Sequence, residues 1–208
     1  MDSLAELMKK MAIDVGIPAS WVHTRSSNEI PGYFRATKKW DLIVISEEGK
    51  LRESVDDRET GRRLLACVEL KSQVGSFGNN VNNRAEEVLG VAVDVHKAFE
   101  YGVFGKQQPF WAGYLTVVEK TEETMTPVEV KEPYFPVLPE FRDATYMERW
   151  RLLCYRLMME RHYDSTCLIW ASRTDGHITS GFPDVKLSFR QFATSFMHSL
   201  QAKLEAST

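Results

Sequence analysis

Asp41, Glu69 and Lys71 are the residues whose types and spacing can do chemistry together. Asp41 opens one apolar run, Trp40-Asp-Leu-Ile-Val-Ile45, and Glu69-Leu-Lys71 closes a second, Leu64-Leu-Ala-Cys-Val-Glu-Leu-Lys71. Side chains alternate along a strand, so Glu69 and Lys71 share one face and Leu70 points to the other. If the two runs are neighbouring strands, an acid from each and one ammonium converge on a single spot. Two carboxylates can hold a divalent cation that polarises a phosphodiester, and the lysine can orient water or help deprotonate it. The chemistry implied is metal-dependent cleavage of DNA or RNA.

The tripeptide alone carries little weight, because Glu48-Gly-Lys50, Glu129-Val-Lys131 and Asp184-Val-Lys186 repeat it. The first lies in a charged, glycine-containing stretch that reads as loop. The second lies between prolines, and no apolar strand leads directly into the third. Glu69-Leu-Lys71 differs in ending a continuous apolar run with an acid on an earlier run. Its bland alternative is an edge-strand Glu/Lys pair that keeps a sheet soluble.

The residues after Lys71 add a second signal. Ser72 to Arg84 is rich in glycine and amides, with Asn79, Asn80, Asn82 and Asn83 close together. Asn and Gln can bond bidentately to adenine, and Arg to guanine or phosphate. Gln73, Asn79, Asn80, Asn82 and Arg84 are therefore candidate DNA contacts from a loop, and Lys38 and Lys39 are candidate phosphate contacts. The local alternative is Asx turns, with Asn83 and Glu86 forming a capping box that opens a helix from Asn83 to about Tyr101.

Trp40-Asp-Leu, Val68-Glu-Leu-Lys-Ser-Gln-Val-Gly75 and Ser76-Phe-Gly-Asn-Asn-Val-Asn-Asn-Arg-Ala-Glu-Glu-Val-Leu-Gly90, preceded by Ile30-Pro-Gly-Tyr-Phe-Arg-Ala-Thr-Lys38, closely resemble the XhoI family of type II restriction endonucleases. The resemblance covers about residues 30–100. It implies a restriction-endonuclease-like PD-(D/E)XK fold, an α/β mixed sheet flanked by helices, with extra C-terminal helices. It also implies Mg2+ as cofactor, double-stranded DNA as substrate and CTCGAG as the expected target. By the same resemblance Asp41 and Glu69 are metal ligands and Lys71 is the catalytic lysine. Against the family pattern the chain begins directly at its first helix and carries a longer charged connection at 47–63.

The elements that must position these groups fit one domain over residues 1–208, a length that buries a respectable core. A catalytic core occupies about 1–120, a proline-rich bridge 127–139 and C-terminal α/β elements 145–204. Ser3 with Glu6 predicts a capping box for a first helix ended by Gly16. Trp21 to Thr24 is a possible short strand, Trp40–Ser46 and Leu64–Leu70 the catalytic strands, and Trp111–Glu119 another. The second helix should bury Ala85, Val88, Leu89, Ala92, Val95 and Phe99. Thr145 with Glu148 opens a further helix, Cys167–Ala171 is a strand, and Ser188 with Gln191 starts the last helix.

Net charge is −3, an unhelpful balance for a DNA-binding protein until its distribution is considered. Residues 47–63 hold six acids and five bases, and 119–132 hold five acids and two bases. Elsewhere the charges nearly balance, so a positive cleft depends on placement. Cys67, Cys154 and Cys167 show no metal-ligand spacing and read as buried thiols. His96 and His162 are single and unpaired, and the arginines of 149–161 point several ways around their helix, as a solvated face would. No run is apolar enough to span a membrane and no signal peptide is evident, so a cytoplasmic protein is expected. A palindromic target predicts a symmetric homodimer. A repair or structure-specific nuclease and a catalytically idle DNA-binding protein are the alternatives on the same scaffold.

Overall fold

Apolar alternation in the two runs that carry the acids does produce paired strands. In the computed structural model, which describes residues 1–46 and 62–206, the strands are β1 Val22–His23, β2 Glu29–Pro31, β3 Thr37–Lys39, β4 Leu42–Ser46, β5 Arg63–Gln73, β6 Trp111–Glu119, β7 Ser165–Thr174 and β8 His177–Gly181. The helices are α1 Asp2–Asp14, α2 Phe77–Glu100, α3 Glu122–Met125, α4 Tyr146–Met159 and α5 Phe189–Glu205. Among the described residues β1-β4-β5-β6-β7-β8 form one six-stranded sheet, and β2 with β3 form a separate ribbon. β4 and β5 are antiparallel, whereas β5-β6 and β6-β7 are parallel, so the sheet is mixed. Parallel neighbours need crossover connections, and α2 and α4 lie in them.

Each face of the sheet has its own apolar layer. Ile43, Cys67, Tyr114 and Leu168 pack with Val88, Val91 and Val95 of α2 and Trp150 and Leu157 of α4. On the other face Val44, Val68, Leu70 and Leu115 pack with Met8 of α1 and Phe192 and Phe196 of α5. Burial on both faces is why β5 reads as a nearly continuous apolar run. The architecture is thus the expected α/β mixed sheet flanked by helices, with C-terminal elements added to its far edge. The three cysteines are free and buried, as expected.

Several local expectations are corrected. α2 starts at Phe77, not Asn83, so Asn79 to Asn83 are helical and do not form a loop. The turn is made earlier, by Gly75 and Ser76 in left-handed backbone conformation (φ 63° and 48°), and buried Phe77 and Val81 anchor the extra turns. The Asn83/Glu86 capping box is therefore absent, and no side chain caps this helix. The Ser3/Glu6 box is absent too, because α1 begins at Asp2 and Ser3 lies inside it. The buried stripe of α2 takes in Val91, while Leu89 is exposed. Thr145 and Glu148 do close a capping box, through bonds of 2.7 and 3.1 Å. Arg149 and Arg156 hold the 127–141 segment, through Val128 O and Glu140. The charged connection, including Glu48-Gly-Lys50, lies outside the described residues over 47–61.

The ribbon β2-β3 is tied to α2 by a buried acid. Asp94 Oδ1 accepts the backbone N–H groups of Tyr33 and Phe34 at 2.8 and 2.6 Å, and Oδ2 accepts from Arg35 Nε at 2.9 Å. Gly32 is needed beneath this carboxylate, because a Cβ there would collide with it. Burial works against the charged form of Asp94, but the Phe34 N–H and the Arg35 guanidinium outweigh it and hold the carboxyl below its ordinary range. Asp94→Ala should cost about 2–3 kcal/mol, the scale of hydrogen bonds to a buried charge, measured by urea unfolding at neutral pH. A lowered carboxylate stabilises fully above its unfolded value and loses that contribution as pH falls through the folded one. The gap between variant and unmodified protein should therefore close in acid; a gap independent of pH would contradict the clamp.

Candidate active site

The register of β4 on β5 brings the acids together. Leu42 pairs with Val68, and one step further places Asp41 opposite Glu69. Asp41 lies just before β4, not on it, yet it is fixed at both ends of the residue. Its N–H donates to Val68 O at 3.2 Å, and its Oδ2 accepts the Leu70 N–H at 2.7 Å. Burial pushes the Asp41 carboxyl above its ordinary value, opposed by that Leu70 bond and reinforced by the charge of Glu69. Trp40, the preceding residue, is buried as expected. Glu69 and Lys71 share the face of β5 that meets α2, while Leu70 joins the opposite core layer.

Glu69 is only 1% exposed and is flanked by two ammonium groups. Lys71 Nζ lies 2.5 Å from Oε1, and Lys38 Nζ lies 2.9 Å from Oε2. Lys71 also pairs with Glu87 of α2 at 3.1 Å, and Glu87 binds Arg84 one turn earlier. The result is a chain of alternating charge, Lys38–Glu69–Lys71–Glu87–Arg84. Burial disfavours the charged form of Lys71, but Glu69 and Glu87 outweigh it and raise its pKa. Burial would likewise raise the carboxyl of Glu87, and Arg84 and Lys71 together bring it below its ordinary value.

Asp41, Glu69, Lys71, Lys38 and Lys39 line one cleft of about 320 Å³, together with Asn28 and Trp40. Among the described residues no three His, Cys, Asp or Glu side chains form a ready-made cation cage. Two carboxylates still suit Mg2+, which is commonly held by one or two carboxylates plus waters and substrate phosphate. Each buried Glu69 oxygen already faces an ammonium, Oε1 that of Lys71 and Oε2 that of Lys38, which is the charge environment a cation on this carboxylate would share or replace.

The structure separates the amide-rich group. Gln73 is buried, and its Nε2 donates to Gly75 O at 2.6 Å, so it braces the turn into α2 and is withdrawn from any groove. Asn80, Arg84 and Glu87 follow one another at helical spacing along the side of α2 that meets Lys71. Asn82 lies elsewhere, lining an apolar cavity of about 550 Å³ with Val81, Ala85 and Leu89. Asn79 is a helical residue of the first turn. Lys39 is exposed at the cleft, whereas Lys38 turns inward to Glu69. His96 is not gathered with acids or other histidines; its Nε2 lies 3.0 Å from the backbone oxygen of His162.

Two roles escaped the sequence reading: that of Lys38, expected at phosphate, and that of Asp94. The entry of Lys38 into the cluster has a faint signal, since Lys38 lies two residues before buried Trp40, on the same side of an extended chain. Asp94 has a clearer one: it shares a helical stripe with Val91 and Ala98, both buried, and a charge on such a stripe must have partners.

Comparisons with known proteins bear on the family of the chain. The family profile described as Restriction endonuclease XhoI matches residues 1–182. The type II restriction enzyme BstVI of Geobacillus stearothermophilus is 43% identical over 177 residues, covering 85% of this chain and 75% of the relative. The type II restriction enzyme XhoI of Xanthomonas vasicola is 38% identical over 163 residues, covering 77% and 60% respectively. The type II restriction enzyme AbrI of Azospirillum brasilense is 38% identical over 137 residues, covering 65% and 55%. The chain thus spans between about half and three quarters of these relatives' lengths. No solved structure gives a significant match.

Proposed function

The chain belongs to the XhoI family of restriction endonucleases, and on that premise we propose that it is a type II enzyme that hydrolyses double-stranded DNA at a specific palindromic site with Mg2+. The observation that carries this reading is the convergence of Asp41 and Glu69 from paired strands, with Lys71 beside them. Asp41 and Glu69 are the residues that would hold the cation. When bound, a divalent ion supplies Lewis acidity toward a phosphoryl oxygen and lowers the pKa of water.

The chain's own groups do the rest. The Leu70 N–H fixes the Asp41 carboxylate against β5, so its orientation is set before substrate arrives. Glu87 steadies Lys71 from the helix side, leaving an ammonium two residues along the strand to orient the attacking water or a phosphate oxygen. Lys39 at the cleft mouth suits phosphate. Asn80 and Arg84, on the side of α2 that meets Lys71, are the better placed of the candidate base contacts, and Arg84 links reading to cutting through Glu87.

The expected target is CTCGAG, and the expected particle is a homodimer, one metal site per strand of the palindrome. Among the described residues no helix is long and apolar enough to cross a membrane; a cytoplasmic protein of one domain over residues 1–208 is part of the proposal. Digestion of mixed plasmid DNA with Mg2+, followed by sequencing of the ends, tests the function. Discrete bands with uniform ends are expected; a smear, or cutting only at junctions, would favour a repair or structure-specific nuclease.

The split of the asparagines gives a sharper test of recognition. Asn80→Ala and Arg84→Ala should each cost about 1–3 kcal/mol on the cognate duplex and much less on random DNA. Asn82→Ala, facing the apolar cavity, should leave both nearly unchanged. Binding curves on the two duplexes decide it. Equal losses for Arg84→Ala and Asn82→Ala would contradict the assignment of these faces.

A further inference from the structure

Glu69 is a buried carboxylate with an ammonium at each oxygen, and the two ammonium groups are not held alike. Lys71 is tethered on its other side by Glu87, 3.1 Å away. Lys38 contacts Glu69 Oε2 at 2.9 Å and its charge also reaches the Asp41 carboxylate; among the described residues its other contacts are neutral, the backbone oxygen of Lys39 and the ring of Trp40, 5.3 Å from Nζ to centroid. Lys38 also comes from the β2-β3 ribbon, which is outside the six-stranded sheet. Its four-carbon stem lets the charge swing without moving the backbone.

Resting on the metal-site reading above, we propose that Lys38 is a positioning residue that stands in for the cation on Glu69 in the metal-free protein and yields that oxygen when the cation binds. A buried carboxylate needs a positive partner, and Lys38 supplies one until the ion arrives. A divalent ion on Glu69 would then repel the nearest untethered ammonium, and Lys71 is kept in place by Glu87. The displaced Lys38 would remain in the cleft shared with Lys39, where it adds a positive charge for the DNA backbone. Metal loading and DNA engagement are coupled by this exchange, and such coupling is reciprocal.

The test is calorimetric titration of Ca2+ into the full chain without DNA, so that no turnover is involved. Lys38→Met, which keeps an apolar stem against Trp40, and Lys38→Gln remove the competing charge. Each should bind Ca2+ about tenfold more tightly than the unmodified protein, the scale of a lost charge-assisted hydrogen bond. Lys38→Arg keeps the charge and should stay close to the unmodified affinity. Glu69→Gln should lose the binding event. A merely structural role for Lys38 predicts weaker or unaltered Ca2+ binding in both charge-removing variants. That outcome, with binding still lost in Glu69→Gln, overturns the stand-in role and spares the metal site. Ca2+ binding by Glu69→Gln at the unmodified affinity would overturn the metal site and the stand-in role together.

Discussion

Glu69→Gln should abolish strand cleavage, lowering the single-turnover rate on the order of a thousandfold or more, because a cation's stabilisation of the reacting phosphate is worth several kcal/mol. The change is isosteric and removes only the charge. Glu69 is 1% exposed, so the amide must be accommodated in place. The two lysines that lose their partner keep roughly a fifth of their side-chain surface in solvent, which limits the destabilisation. Conversion of supercoiled plasmid to nicked and linear forms measures the rate, and a thermal melt confirms folding. A folded Glu69→Gln protein that cuts at the unmodified rate would remove Glu69 from the chemistry.

Lys71→Met should also stop turnover, but for a different reason and with a different signature. The ammonium orients water or phosphate and holds no cation, so its loss should slow cleavage by about 10²–10⁴-fold, the range of a positioned proton-handling group. Ca2+ binding should survive, because Asp41 and Glu69 remain. Binding to an uncleaved cognate duplex with Ca2+ should survive as well. Loss of metal affinity comparable with that of Glu69→Gln would show that Lys71 supports the carboxylates and is not a reacting group.

The convergence of Asp41, Glu69 and Lys71 was legible because strand geometry is local and periodic. Two apolar runs that each end in an acid leave few ways to pair, and the β4-β5 register puts Asp41 against Glu69 without help from distant residues. Both helix caps of the C-terminal region, Thr145 and Ser188, were legible for the same reason: a cap is a bond across three residues. The amide-rich segment misled because its residues favour turns in isolation, while Phe77 and Val81 gain enough burial to extend the helix through them. Tertiary packing overrode local preference there.

What the sequence concealed is mostly long-range. The Asp94 clamp joins residues about sixty positions apart, and the Lys38–Glu69 pair joins residues thirty-one apart. Nothing in spacing along the chain announces either. The edge strand β8 is a different kind of omission, since its signal was present. Asp175-Gly176, both in left-handed conformation, form a two-residue hairpin turn between Thr174 and His177, and Asp-Gly is a strong hairpin sequence. The exposed residues of β8 lack the apolar alternation that would have marked it as a strand.

The role of the converging carboxylates is tested most directly by locating the ion itself. Crystals of the full chain with a non-hydrolysable CTCGAG duplex and Mn2+, measured at the manganese absorption edge, would reveal the metal by its anomalous scattering. A peak within bonding distance of both Asp41 and Glu69 is expected. A peak bound elsewhere, with this cleft empty under conditions that support cutting of ordinary DNA, would contradict it.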